Sequence, residues 1–206
     1  MTAARFVVFE GGEGAGKSTQ SAALADYLRA RGHEVLCTRE PGGTPAAEAI
    51  RAVLLDPANA GLDDRAEALL FAAARGDHAA RVIRPALERG EIVISDRYLD
   101  SSVAYQGVAR GLGAERVAEL SLWATGGLVP DLTIVLDVDP ALGLARVVGP
   151  DRLESEPLEW HARVRQGFLD IAAAVPDRYL VLDGSRPAED LAVEIAVAVS
   201  ALVGDA

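Results

Sequence analysis

The chain has 206 residues, of which 50% are hydrophobic, and its formal net charge is −11. This length and composition predict a single globular domain, residues 1–206, and an acidic chain without a basic stripe is not expected to bind nucleic acid. One cysteine, Cys37, excludes an intramolecular disulfide and is expected to be a buried, inert thiol.

No membrane or export segment is predicted. The opening sequence MTAARFVVFE lacks the long apolar region of a signal peptide. The apolar sequence LAVEIAVAVSALV contains Glu194 and is too short to cross a bilayer. We therefore expect a cytoplasmic protein without a membrane partner.

Short apolar runs rich in Val, Ile and Leu alternate with segments of helical spacing. The predicted strands are Arg5–Glu10, Glu34–Thr38, Ile92–Asp96, Leu132–Asp137 and Tyr179–Leu182. The predicted helices are Ser18–Arg31, Thr44–Leu55, Asp64–Glu88, Ala114–Ala124, Glu156–Ala174 and a last one with Ser185 as N-cap. The alternation predicts an α/β fold, with a five-stranded parallel sheet covered by helices on both faces and ligands at the carboxyl ends of the strands.

The most specific motif is a phosphate-binding loop after the first strand. Gly11, Gly16, Lys17 and Ser18 match the pattern G-x-x-x-x-G-K-[ST], in which backbone N–H groups cradle phosphates. Lys17, the only lysine, is expected to reach the β- and γ-phosphates of ATP, and Ser18 to ligate Mg²⁺. The predicted ATP-binding residues are Gly11, Gly12, Glu13, Gly14, Ala15, Gly16, Lys17, Ser18 and Thr19.

The motifs beside this loop favour a small-molecule kinase. A guanine-nucleotide switch needs N-K-x-D, but Asn59 is the only asparagine and no lysine follows it. A kinase needs a second anionic pocket, which Arg39 and the Asp96-Arg97 pair are placed to line at the ends of two strands. An irregular segment, about residues 146–157, is interpreted as a lid.

Several sequence pieces together resemble the bacterial thymidylate kinases. They are FEGGEGAGKST, TREPGGT, LLFAAARGDH, SDRYLDSSVAYQG and PDLTIVLDV, in the order of that family. The resemblance implies a three-layer P-loop kinase fold, a homodimer, and phosphoryl transfer from Mg-ATP to dTMP, giving dTDP. The alternatives are a kinase for another nucleoside monophosphate or small anion, and a switch that uses ATP only to change shape.

The resemblance also implies roles in the acceptor site. Phe71 would stack on the thymine ring and Arg75 would hydrogen-bond its edge. Arg97 would hold the acceptor phosphate, and Asp96 would orient Mg²⁺-bound water. The residues that match contacts to the base and deoxyribose are Ser102, Tyr105 and Gln106, with Tyr105 crowding the 2′ position.

Further matches concern charged residues around the loop. Arg39 and Arg51 resemble basic residues of the acceptor pocket, and Glu13 resembles a carboxylate that points to the sugar 3′-hydroxyl. Glu10 is expected to steady arginines or Mg²⁺-bound water, or else to form a structural ion pair. The bond between Glu40 and Pro41 matches a position where the family has a cis peptide.

The lid segment departs from the family pattern. Arg146 and Arg152 match basic lid residues, but the RVVG sequence between them is short and apolar where relatives carry more basic residues. We therefore expect Lys17 and Arg97 to carry more of the catalysis, with both lid arginines assisting. Because the attacking atom is a phosphate oxygen, the predicted mechanism is positioning and charge neutralisation without a strong base.

Overall fold

A five-stranded parallel sheet between two helical layers forms the centre of the protein, for which a computed structural model describes residues 4–149 and 151–205. The strand order is β2-β3-β1-β4-β5. The strands are β1 (Arg5–Glu10), β2 (Val35–Arg39), β3 (Ile92–Asp96), β4 (Leu132–Asp137) and β5 (Tyr179–Asp183). The predicted strands are confirmed to within one residue at each end.

At least one helix follows each strand, in the alternation that was predicted. They are α1 (Lys17–Arg29), α2 (Pro45–Leu55), α3 (Asp64–His78), α4 (Arg84–Glu88), α5 (Leu99–Ser102), α6 (Ala114–Thr125), α7 (Pro140–Leu144), α8 (Leu158–Ala174) and α9 (Ala188–Val203). Two π-helical segments, Ala79–Ile83 and Val103–Ala109, continue α3 into α4 and extend α5. Pro85, which has no N–H to donate, lies two residues after the first of them, and a wider turn there accommodates the missing hydrogen bond.

The two faces of the sheet bury alternate residues of each strand. Val7 and Phe9 pack under α1 and α9, whereas Phe6 and Val8 pack under the Ala79–Ile83 segment and α4. The Val103–Ala109 segment and α8 cover Val135 on this second face. Both faces are therefore apolar, which explains the continuous apolar runs in the sequence.

The site is positioned by the order of the strands. β1 pairs with β3 on one side and with β4 on the other, so the chain reverses its winding direction at β1. Ligands in such sheets bind in the crevice at this reversal. Because Phe9 is in register with Asp96, the loop after β1 lies beside the Asp96-Arg97 pair.

Some local predictions were wrong. Cys37 is exposed because β2 is an edge strand. Ser185 does not cap the last helix, since its hydroxyl donates to Asp183 Oδ1 at 2.6 Å and α9 begins after Pro187. The helix expected from Glu156 begins at Leu158.

The peptide bond between Glu40 and Pro41 is cis, as the resemblance implied. Among the described residues, no helix is both long and apolar enough to cross a bilayer.

Candidate active site

Glycines shape the loop between β1 and α1. Gly11, Gly14 and Gly16 have φ angles of 134°, 62° and 94°, which side chains disfavour. A Cβ on Gly14 would also collide with the carbonyl oxygen of Gly143 in α7. The loop therefore lies close against α7, and the N-terminus of α1 faces the crevice, where its N–H groups favour an anion.

Lys17 lies inside this loop. Its side chain is buried, and Nζ donates to the carbonyl oxygens of Gly11 at 3.1 Å and Gly12 at 2.7 Å. Burial and the positive charge of Arg97 lower the pKa of Lys17 to about 8. A polyphosphate in the crevice would favour the protonated form, so Lys17 is suited to bind one.

The two residues expected to hold Mg²⁺ lie together. Ser18 Oγ donates to Asp96 Oδ2 at 2.6 Å, and both residues line the crevice with Lys17 and Arg146. A hydroxyl and a carboxylate beside a phosphate site fit Mg²⁺, which keeps several waters and uses few protein ligands. Within residues 4–149 and 151–205, no cluster of three or more His, Cys, Asp or Glu forms a rival site.

Arg97 connects the loop to the rest of the site. It has a φ of 71°, a left-handed conformation that is uncommon outside glycine. This turn after β3 directs its guanidinium back over the loop, where Nη1 donates to the Gly11 carbonyl oxygen at 3.0 Å and Nη2 to Glu13 Oε1 at 2.7 Å. Arg97 thereby connects the end of β3 to the phosphate loop.

Glu13 is the loop carboxylate, and it pairs with Arg97. Besides Arg97, the Tyr105 hydroxyl donates to Glu13 Oε1 at 2.6 Å. Burial alone would raise the pKa of Glu13, but the positive charges of Arg97 and Lys17 lower it to about 2. Glu13 is therefore ionised at neutral pH and fixes both Arg97 and Tyr105.

Glu10 makes no ion pair with any described residue. It is fully buried, and it accepts hydrogen bonds from the backbone N–H groups of Tyr98 and Ser101 and from the Ser101 hydroxyl. Burial and the negative charge of Asp100 raise the pKa of Glu10 to about 7. Glu10 thus ties the end of β1 to the start of α5, the element that follows Arg97.

A second pocket opens beside the crevice. The two share Glu13, Glu40, Arg51 and Arg97 as lining residues. One side of the second pocket is apolar, and the other carries hydroxyl and amide groups. The residues of these two sides are Leu55, Phe71, Leu153, Ser101, Ser102, Tyr105 and Gln106.

Arg39 and Arg51 lie near this junction. Both donate to the carbonyl oxygen of Pro41, at 2.9 and 3.0 Å. Arg39 also pairs with Glu48 at 3.1 Å and lines the crevice only. The Pro41 carbonyl oxygen thus holds two arginines at the mouth of the site.

Arg75 lies behind the second pocket and does not line it. Its side chain is 2% exposed and donates to Glu40 Oε2 at 2.7 Å, to Ser121 Oγ at 3.1 Å and to Ser102 Oγ at 3.0 Å. A further bond reaches the Tyr98 carbonyl oxygen. Four of its five N–H groups are thereby used, so direct contact with a base stays a prediction.

The two lid arginines lie in different surroundings. Arg146 is exposed, lines the crevice and donates to the Gly14 carbonyl oxygen at 3.0 Å. Arg152 is buried and lines neither pocket, since it pairs with Glu67 at 2.6 Å and donates to the Leu54 carbonyl oxygen at 2.8 Å. A direct role of Arg152 with phosphate stays a prediction.

Several pocket residues were not predicted. Ser101, Asp151, Leu153 and Glu154 line the second pocket, although the sequence analysis gave them no role. Asp151, Leu153 and Glu154 lie in the lid segment, where single residues outside a motif do not indicate a role in binding. Ser101 follows Asp96-Arg97 closely, and the start of a helix at a strand end could have indicated it.

Comparisons with known proteins agree with this geometry. The family model described as thymidylate kinase matches residues 9–195. A thymidylate kinase of Deinococcus radiodurans is 53% identical over 97% of this chain and 98% of its own, and one of Leifsonia xyli subsp. xyli is 55% identical over 92% and 91%. The chain belongs to the thymidylate kinase family. The crystal structure of a thymidylate kinase from Ehrlichia chaffeensis, 34% identical, superposes with a TM-score of 0.80 over 96% of this chain and 99% of that one.

This thymidylate kinase fold confirms the predicted three-layer architecture, and family membership confirms the predicted enzyme class. The family match includes both pockets, since it runs from the end of β1 into α9. Membership of this kinase family also favours a kinase over a nucleotide-dependent switch as the interpretation of the phosphate loop. The individual residue roles stay predictions.

Proposed function

We propose that this enzyme transfers the γ-phosphoryl group of ATP to a phosphate oxygen of dTMP, giving ADP and dTDP. The observation that carries the proposal is the junction of the two pockets. The crevice at the phosphate loop fits the ATP phosphates, and Arg97 and Arg51 line both pockets. Two anions that repel each other can approach only where fixed cations lie between them.

The second pocket suits a nucleoside monophosphate. Phe71 offers an aromatic face for a base, and Ser102 and Gln106 offer polar groups at its edge. Arg75 donates to Ser102 Oγ, so the Ser102 hydroxyl keeps its own hydrogen to donate to a base oxygen. Arg75 would then act on the base through Ser102.

Tyr105 and Glu13 are proposed to surround the sugar. The Tyr105 ring is held edge-on by Trp160 and Phe168, with ring centroids 5.4 and 6.1 Å away. This fixed ring would crowd a 2′-hydroxyl, and Glu13 would accept from the 3′-hydroxyl. The Tyr105 ring would thus favour a deoxyribose over a ribose, and the hydrogen bond to Glu13 would orient the sugar.

Catalysis is proposed to rest on position and charge. Lys17 and Arg97 would neutralise the phosphoryl group as the bond from its phosphorus to the ADP oxygen breaks and a bond to the dTMP oxygen forms. Ser18 and Asp96 would hold Mg²⁺, which supplies charge neutralisation for the ATP phosphates. The dTMP oxygen is already anionic, so no residue needs to remove a proton from it.

The test is an acceptor panel. Purified enzyme with Mg-ATP is supplied with dTMP, dUMP, UMP, CMP, AMP or GMP, and ADP formation is measured. Strong preference for dTMP is the expected result. Preference for another monophosphate would replace the proposed substrate, and ADP release without dependence on an acceptor would refute the kinase proposal.

A further inference from the structure

Glu67 is a buried carboxylate that lies outside both pockets but contacts a residue of the second one. It stands on α3 and is 0% exposed. Its Oε1 accepts a hydrogen bond from Gln106 Nε2 at 3.0 Å. Gln106 is itself 1% exposed and lines the second pocket, so Glu67 stands directly behind the polar edge of that pocket.

Two arginines contact the Glu67 carboxylate. Arg152 Nη2 lies 2.6 Å from Glu67 Oε2, and Arg110 contacts both oxygens at 3.3 Å. A buried carboxylate is costly unless it is paired and hydrogen-bonded, and here both conditions are met. Both Glu67 oxygens face these donors, and carboxylate oxygens paired in this way act as hydrogen-bond acceptors.

This restriction decides the orientation of the Gln106 amide. A free glutamine amide can turn over and present either its NH₂ group or its oxygen to a ligand. Facing a carboxylate, it must present the NH₂ group to Glu67. Its oxygen Oε1 then remains for the pocket, and in the described part of the chain no group donates to it.

We propose that Glu67 is a positioning residue that fixes the Gln106 amide as a hydrogen-bond acceptor, so that the site selects a base carrying a ring N–H. The inference rests on the proposed function and names the physical origin of part of its base selectivity. Thymine has a hydrogen on N3, whereas 5-methylcytosine has the same ring size and methyl group but a bare N3. The enzyme therefore prefers dTMP over 5-methyl-dCMP partly through Glu67.

The test compares these two acceptors in wild-type enzyme and in Glu67→Gln. In the variant, the neutral amide at 67 can donate or accept, so Gln106 is free to turn over. The ratio of kcat/KM for dTMP to that for 5-methyl-dCMP is expected to fall at least about tenfold, while KM for ATP stays within about twofold. The exchange of the oxygen on C4 for an amino group affects both enzymes alike and cancels in this comparison.

Asp64→Asn is the matched control. Asp64 lies one turn before Glu67 and pairs with the same Arg110 at 3.4 Å, but it is half exposed and does not contact Gln106. The control removes one negative charge from the same arginine and is expected to keep the wild-type ratio. An equal loss in Asp64→Asn would show a general charge effect and overturn the proposal.

Gln106→Met tests whether Glu67 acts on the base through the Gln106 amide, and it leaves the ion pairs of Glu67 with Arg110 and Arg152 unaltered. It removes the amide with little change of shape, so it is expected to lower the same ratio at least about tenfold, and adding Glu67→Gln should lower it no further. An unchanged ratio in Gln106→Met would overturn the proposal even where Glu67→Gln does not fold. If wild-type enzyme phosphorylates no monophosphate, the proposed function fails; if it uses dTMP and the variants keep the ratio, only this inference fails.

Discussion

Lys17 and Arg97 both donate a hydrogen bond to the Gly11 carbonyl oxygen of the phosphate loop. We expect Lys17→Ala and Arg97→Ala each to lower kcat at least about a hundredfold, the scale for losing one key electrostatic donor. Steady-state ADP formation with saturating ATP and dTMP measures this.

Arg89→Ala is the control for these two variants, because Arg89 is exposed and its one ion pair among the described residues is with nearby Glu91. Its kcat is expected to equal that of the wild type. Near-normal turnover in Lys17→Ala or Arg97→Ala would refute the role assigned to that residue.

We expect the Glu13 side chain to matter more for the use of dTMP than for the binding of ATP. Glu13→Ala removes the acceptor of Arg97 and Tyr105, which both line the second pocket. We expect KM for dTMP to rise about tenfold or more, while the Kd for ATP changes less than about threefold. Calorimetric titration of ATP and initial rates against dTMP measure the two, and an equal loss of both would show that the carboxylate only shapes the loop.

The positions of the loop residues were predictable because one local motif contains them all. Gly11 to Thr19 follow from one such pattern, because strand, loop and helix are consecutive in the chain. Arg75 and Arg152 show the opposite case. Their partners Glu40, Ser121 and Glu67 are distant in sequence, so burial of both guanidiniums could not be inferred from spacing.

At the scale of the elements, the phosphate loop leaves no room for a side chain where it meets α7. Gly14→Ala places a side chain at a φ of 62° and against the Gly143 carbonyl oxygen. We expect the free energy of unfolding to fall by at least about 1–2 kcal/mol. Denaturant titration measures it.

Gly12→Ala is the matched control in the same loop. A Cβ at Gly12 meets no atom within 4 Å. Its unfolding free energy is expected to stay within about 0.5 kcal/mol of the wild type. Equal destabilisation by both substitutions would contradict the steric explanation.

Element types were predictable because apolar runs and helical spacing agree with the buried faces of the sheet. The departures lie at element ends and in the helical turns around Pro85. Ser185 failed as a cap because the Asp183 side chain already engages its hydroxyl and its backbone N–H. A π-helical segment has no sequence signal comparable to a cap or a glycine.

For the whole molecule, Glu10 makes stability depend on pH. The folded state keeps the Glu10 proton up to a pKa of about 7, against an ordinary value of 4.5. Rising pH between these values therefore removes stability, by up to about 3 kcal/mol. Glu10→Gln keeps an acceptor but cannot ionise, so its stability relative to wild type is expected to increase from pH 4.5 to 7 and then level off.

Thermal or denaturant unfolding of both proteins across this pH range measures the difference. A constant difference would contradict the raised pKa of Glu10. Asp100 is left unchanged in both proteins, so the negative charge that helps to raise this pKa is present throughout.

The homodimer and the cytoplasmic location stay predictions. Sedimentation velocity tests the first, and we expect a species of two 21.6 kDa chains at micromolar concentration. A species with the mass of one chain would contradict it.

Chemical modification of Lys17 can be used to measure nucleotide binding at the phosphate loop. The sequence contains one lysine, so Lys17 carries its only side-chain primary amine. Since the pKa of Lys17 is about 8, a substantial fraction is the nucleophilic free amine in mildly alkaline buffer. An amine-acylating reagent would thus modify one internal peptide, the one that contains Lys17. Mass spectrometry would measure the fraction of this peptide that stays unmodified, and this fraction would report the share of molecules with a nucleotide bound at the phosphate loop.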